Sequence, residues 1–185
     1  MARHYLARHA RPEVDPDRPA RLWNLSNDGK AGARRLASTL VNAALARVVT
    51  SDEPKSIQTG QSVAAALNIP MHQDPDLCEH KRDGATFSDD PDQFQETIRQ
   101  LFEQPERVIY GTETAGEALS RFSSAVTRHS TEESTLMVTH GTVLSLYVAS
   151  ITGRDGFEIW SKLGMPCLVT VDDNPRSRVD ILNQV

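Results

Sequence analysis

Two cysteines, Cys78 and Cys167, are too few for a disulfide scaffold, and without a Cys-x-x-Cys pair they offer no zinc-binding pattern. A single bridge is left open. Long apolar runs are missing as well. None approaches the roughly 18 residues that a membrane helix needs, so no membrane partner is expected. The polar start Met1-Ala2-Arg3-His4 lacks the apolar stretch of a secretory signal, and a cytoplasmic address is the expectation. Nor does positive charge prevail. A formal charge of -5 speaks against a nucleic-acid partner bound by bulk electrostatics.

Several catalytic signatures are also absent. Gly111 and Gly116 have the glycine spacing of a P-loop, but Glu117 stands where the phosphate-binding lysine belongs, and a carboxylate there repels phosphate. Neither cysteine is followed six positions later by arginine, since Gly84 and Asp173 occupy those places. Asp15-Pro16-Asp17 has the look of an aspartyl nucleophile pair without the apolar strand such a site requires. There is no Gly-x-Ser-x-Gly elbow and no His-Glu-x-x-His helix.

What is present fits one domain. The 185 residues are enough to bury a core without staples. Short apolar runs alternate with amphipathic stretches. A strand is expected at Tyr5 to Ala7, followed by a proline-rich loop to Arg21 and a helix over Gly29 to Leu45. Next come a strand at Ala46 to Thr50, a helix over Ile57 to Leu67 and a strand near Ile69 to His72. Asp74 to Pro91 reads as an irregular excursion, within which the acidic run Asp89, Asp90, Asp92 reads as helix capping. Helices over Pro91 to Phe102 and Thr114 to Arg128 precede a strand at Thr135 to Thr139 and a helix over Thr142 to Ile151. Two last strands, Cys167 to Val171 and Arg178 to Leu182, are joined by the turn Asp172-Asp173-Asn174-Pro175. Strands alternating with helices and closed by an antiparallel pair predict an α/β fold, a mixed sheet with helices on both faces.

Within that plan two histidines stand out. His9 and His140 each follow an apolar strand and precede small residues. Carboxyl ends of strands in an open α/β sheet converge on the ligand crevice, so the two imidazoles can meet despite their separation in sequence. Residues 1 to 35 carry eight Lys or Arg against four Asp or Glu, which provides a local basic region for an anionic substrate.

Leu6-Ala7-Arg8-His9-Ala10 resembles the Arg-His-Gly signature of the histidine phosphatase superfamily, the phosphoglycerate mutase-like proteins. Other pieces follow in order. Leu25-Ser26-x-x-Gly29 is similar to the family's Leu-Thr-x-x-Gly helix start, and Val49-Thr50-Ser51 through Lys55 to Gln58-Thr59 to its Ser-x-x-x-Arg-x-x-x-Thr segment. Leu77-Cys78-Glu79 with Gly84 resembles the acidic loop, Val138-Thr139-His140-Gly141 the second histidine motif, and Trp160-x-x-Leu163 with Pro166 the closing segment.

The resemblance implies a three-layer α/β/α sandwich with a mostly parallel sheet and a small lid-like excursion around residues 74 to 113. It also implies a phosphatase that needs no metal or other cofactor. His9 would be the nucleophile that forms a phosphohistidine, and Glu79 the general acid and base. Arg8, Lys55 and His140 would bind the phosphate together with His9. Arg11, Arg18, Arg21, Lys81 and Arg82 are candidates to read a small phosphomonoester beyond its phosphate, with inorganic phosphate as product. His4, His72, His80 and His129 have no motif support.

Two positions depart from the pattern. Ala10 replaces a glycine and restricts positive φ, while Lys55 replaces an arginine and offers a point charge where a fork is usual. An arginine at position 55 is therefore expected to raise turnover. The same departures leave room for a phosphate-binding module with weakened chemistry. A mutase, which needs a closed lid, and a phosphatase of protein phosphohistidine are the further alternatives. The oligomeric state is not legible.

Overall fold

The computed structural model of the protein describes residues 3–85, 90–172 and 179–183. Its strands are β1 (Arg3–Arg8), β2 (Arg47–Thr50), β3 (Met71–Gln73), β4 (Thr135–Thr139), β5 (Cys167–Asp172) and β6 (Val179–Leu182). They lie in one sheet in the order β3-β2-β4-β1-β5-β6. β1 to β4 are parallel, whereas β5 runs antiparallel to both β1 and β6. This is the mixed, mostly parallel sheet that the sequence predicts.

Alternation along the strands divides the core into two layers. Tyr5, Ala7, Val48, Leu136 and Val138 pack with Leu36 of α1 (Asn27–Thr39) and Val63 of α2 (Pro54–Leu67). Their neighbours Leu6, Val49 and Met137 face the other way. There they meet Phe122 of α4 (Ala115–His129), Leu144 of α5 (Gly141–Thr152) and Leu101 of α3 (Pro91–Glu103), with Ile159 of α6 (Gly156–Lys162). A period of two on each strand therefore yields the three-layer α/β/α sandwich.

Several boundaries differ from the sequence reading. α1 ends at Thr39 although its apolar period runs on to Leu45, because Leu40 and Leu45 bury themselves in the turn toward β2 and Ala44 takes a left-handed backbone at φ 49°. α2 begins at Pro54 rather than Ile57. Proline suits the first helical position, where no intrahelical N–H is needed, and this start puts Lys55 in the first turn beside the end of β2. The short helix α6 escaped the sequence reading, since its seven residues are too few to display a period. It is nonetheless capped by Asp155, whose carboxylate accepts from Glu158 N at 2.6 Å.

Asp90 caps α3 as expected, accepting from Asp92 N at 2.9 Å. Asp89 and residues 173–175 of the anticipated turn lie outside the described residues. The failed P-loop pattern has a structural explanation. Thr114 and Glu117 cap α4 reciprocally, and at Gly111, with φ 85°, a Cβ would come within 2.0 Å of the Lys81 carbonyl oxygen. Among the described residues, no helix is long and apolar enough to cross a membrane.

Candidate active site

β2, β4 and β1 are adjacent, so their carboxyl ends present Ser51, His140 and His9 side by side. His9 N–H donates to the Thr139 carbonyl at 2.9 Å, which continues the β1–β4 pairing one step beyond the strand. The two imidazoles consequently meet edge to face, with ring centroids 5.0 Å apart. His9 Nδ1 lies 2.7 Å from the Ala10 carbonyl oxygen. A carbonyl only accepts, so Nδ1 carries the hydrogen and Nε2 the lone pair. Burial, then the neighbouring His140, Lys55 and Arg8, pushes His9 well below the ordinary histidine range and keeps it neutral.

Ala10 settles differently from the sequence expectation. Its backbone is not left-handed: among the described non-glycine residues only Ala44 and Asn68 have positive φ. The methyl group packs against Leu25 and Ala33, and Ala10 N–H donates to Thr59 Oγ1 at 3.0 Å. The following residue explains the Leu-Ser-x-x-Gly segment. The Arg11 carbonyl receives Ser26 N–H and hydroxyl, both at 3.1 Å, and a Cβ on Gly29 would come within 2.0 Å of it. The Arg11 side chain itself is exposed.

His140 is fully buried at the N-terminus of α5. Its Nε2 lies 2.7 Å from Ser51 Oγ and 3.3 Å from Glu53 Oε1. Burial and the Lys55 charge lower its pKa well below the usual value, against the opposing pull of Glu79. Lys55, also buried, pairs with Glu53 Oε2 and donates to the Ala20 carbonyl at 2.7 Å. Arg8 Nη1 donates to the Leu163 carbonyl at 2.9 Å, and its guanidinium rests against Gly141. Arg8 Nε, His140 Nδ1 and Arg82 Nε are buried without a hydrogen-bond partner.

Glu79 reaches the same helix end from its loop. Its carboxylate accepts from Thr142 N at 3.1 Å, from Val143 N at 3.2 Å and from its neighbour His80 N at 2.9 Å. Arg82 Nη2 lies 3.7 Å away and donates to Thr142 Oγ1 at 2.9 Å. Burial alone would raise the Glu79 pKa; Arg82, His140 and the backbone N–H donors outweigh it and hold the group well below the carboxylate range. The Arg82 guanidinium sits 5.5 Å from the Phe94 ring and 5.6 Å from that of Tyr110. Arg21 lies farther out, exposed, 3.5 Å from Asp83.

Of the residues singled out in the sequence, Arg8, His9, Lys55, Glu79, Arg82 and His140 thus come together, while Arg11 and Arg21 stand at the exposed rim. Two important residues were missed. Glu53 reads as half of a solvated charge pair in a turn, yet it is 7% exposed and joins Lys55, His140 and the Glu79 loop. Its only sequence signal is its place three residues after the end of a β-branched strand. Arg121 reads as a solvated helix residue, but it donates to the carbonyls of Asp76, Cys78 and Glu79 and pairs with the buried Glu113 at 2.6 Å. His80 and His129 are structural, bonding to the Glu113 carbonyl and to Asp74. Among the described residues, no three of His, Cys, Asp and Glu are grouped to hold a metal.

The family model described as Histidine phosphatase superfamily (branch 1) matches residues 4–176. No curated protein matches the sequence. The fold is similar to that of the alpha-ribazole phosphatase from Shigella flexneri, with a TM-score of 0.74 at 20% identity over 98% of this chain and 96% of that one. A mycobacterial glucosyl-3-phosphoglycerate phosphatase complexed with VO3 gives a TM-score of 0.74 at 16% identity, with both chains fully covered at 100%. A phosphoserine phosphatase mutant from Entamoeba histolytica gives 0.75 at 11% identity over 99% and 97% of the two chains.

Proposed function

The chain belongs to the histidine phosphatase superfamily (branch 1), and on that premise we propose that it hydrolyses small phosphomonoesters through a phosphohistidine on His9. The observation that carries this reading is the pair of facing imidazoles, one with its Nε2 lone pair free by tautomer, flanked by the unpartnered Arg8 Nε and His140 Nδ1.

In the first half-reaction His9 Nε2 attacks phosphorus, the N–P bond forms and the ester P–O bond breaks. Charge on the three equatorial oxygens meets Arg8, Lys55 and His140. The leaving oxygen takes a proton from Glu79. At rest that carboxylate is ionised, so its acid role depends on the substrate. A phosphoryl dianion placed beside it offsets Arg82 and raises its proton affinity, so Glu79 takes up one proton from solvent as the substrate binds and returns it when phosphate leaves. In the second half-reaction Glu79 takes a proton from water, which attacks phosphorus and releases inorganic phosphate, restoring His9. No step uses a metal ion.

The backbone at Ala10 removes one of the two reasons for reading the chain as a phosphate-binding module without chemistry. Hydrolysis is favoured over transfer by the size of the segment between Glu79 and His140, in which two helices leave little chain for a closing lid. The three named relatives act on different esters, which leaves the leaving group open. Arg82, against Phe94 and Tyr110 and close to Glu79, is the nearest of the candidate arginines to read it.

The test is phosphate release from p-nitrophenyl phosphate in excess EDTA, comparing the wild type with His9→Ala. Turnover by the wild type alone, with acid-labile phosphate on His9 after a rapid quench, is expected. Turnover that survives His9→Ala, or that vanishes with EDTA, would overturn the reading.

A further inference from the structure

Glu53 takes no part in the steps above, yet its carboxylate touches three of the groups they use. Oε2 pairs with Lys55 Nζ, and Oε1 accepts from Glu79 N–H at 2.9 Å and lies 3.3 Å from His140 Nε2. A carboxylate that receives an ammonium and an amide N–H is ionised, and an ionised oxygen can only accept. Repulsion between that carboxylate and a ring lone pair 3.3 Å away therefore favours the tautomer with its hydrogen on Nε2, which donates to Ser51 Oγ. Ser51 Oγ, 2.7 Å from the same Nε2, also accepts from Glu53 N–H at 3.3 Å, which closes the turn around the ring. A neutral imidazole has one N–H, so His140 Nδ1, buried and unpartnered, keeps its lone pair.

Building on the phosphatase reading, we infer that Glu53 is a positioning residue, which fixes the His140 proton on Nε2 and stabilises the imidazolium formed on substrate binding. A monoanionic phosphoryl group passes its O–H proton to Nδ1; no bond to phosphorus changes, and a phosphoryl dianion is left beside a cation. The other charges near His140 are Lys55, Arg8 and Arg82, which oppose that cation, and Glu79, which favours it. Lys55 opposes it most, and Glu53 is bonded to Lys55 and faces the ring at once. The logic is that of the buried aspartate that orients the histidine of a serine protease.

The tautomer can be read in the resting protein by nitrogen-15 NMR of the imidazoles, with His140 assigned by its loss in His140→Ala. The Nε2–H form is expected in the wild type, and Glu53→Gln is expected to mix the two forms. Because Glu53→Gln strands the buried Lys55 ammonium, Glu53→Gln combined with Lys55→Met is made in parallel to keep the charges balanced. Turnover of p-nitrophenyl phosphate should fall at least ~10-fold in Glu53→Gln, in line with the loss of a partner that orients a working histidine. In a His140→Ala background the same change should cost less than about 2-fold, since residues acting as a unit are not additive.

An Nδ1–H tautomer in the wild type, undiminished turnover in Glu53→Gln, or a full loss that persists without His140 would each overturn the inference. A wild type that neither turns over nor forms phosphohistidine overturns the phosphatase reading instead. The resting tautomer still decides the role of Glu53 in that case.

Discussion

Gly141 follows His140 because of Arg8. A Cβ at position 141 would lie 3.1 Å from Arg8 Cζ and Nε, and the guanidinium cannot simply retreat, since Leu163 holds it by its carbonyl. Gly141→Ala should therefore leave the circular dichroism spectrum intact and lower kcat/KM for p-nitrophenyl phosphate by about tenfold, roughly 1.4 kcal/mol of transition-state stabilisation. Unchanged kinetics would mean that Arg8 does not bind the phosphoryl group. The outlook for Lys55→Arg is reversed by the surroundings of Lys55. Its Nζ is buried, donating to the Ala20 carbonyl and pairing with Glu53, so the larger guanidinium of an arginine would have to displace one of them. Overpacking of this kind costs about 1–3 kcal/mol, so urea unfolding should show lost stability and turnover should drop rather than rise. The cation at position 55 was legible from the motif. Its partner Glu53 was not, because a charge pair in a turn looks the same whether it faces water or a buried imidazole.

Elements set the position of Glu79, the proposed acid. The N-terminal N–H groups of α5 fix the Glu79 carboxylate, and Arg121 of α4 holds its loop from behind through three carbonyls. Arg121→Ala leaves those carbonyls unmet and the buried Glu113 without its partner. It should cost about 3 kcal/mol in urea unfolding and lower turnover at temperatures where the fold persists. A loss of stability with full activity would show that the loop holds its place without α4. Strands and long helices were legible here because each displays its period over several residues. The ends were not. The end of α1 at Thr39 depends on where Leu40 and Leu45 are buried, which is tertiary information, and the start of α2 at Pro54 lies ahead of the apolar period by which the helix is read. Arg121 was hidden for the same reason, since its carbonyl partners exist only once the Glu79 loop has folded against α4.

For the whole molecule, the buried histidines couple stability to pH. His9 and His140 lie well below the ordinary histidine value in the folded state, and His80 is lowered too, chiefly by burial. An unfolded chain takes up protons at those positions near pH 6.5, where the folded one does not. Stability is complete above that value and is lost as pH falls below it. Glu79 and Asp74 are lowered carboxyls, so their contribution is present above about pH 4 and is lost as pH falls through their folded values. Thermal unfolding should show Tm dropping from pH 7 to pH 5, and His140→Gln should flatten that drop; an equal slope in the variant would mean that His140 is protonated in the native protein. The bond from Arg8 to the Leu163 carbonyl also joins positions 155 residues apart. During synthesis on a ribosome, the growing chain therefore carries an unaimed guanidinium until Leu163 has emerged and docked. The proposed phosphate pocket is then completed as one late event, and a chain released before that point is expected to lack turnover however much of its sheet has formed.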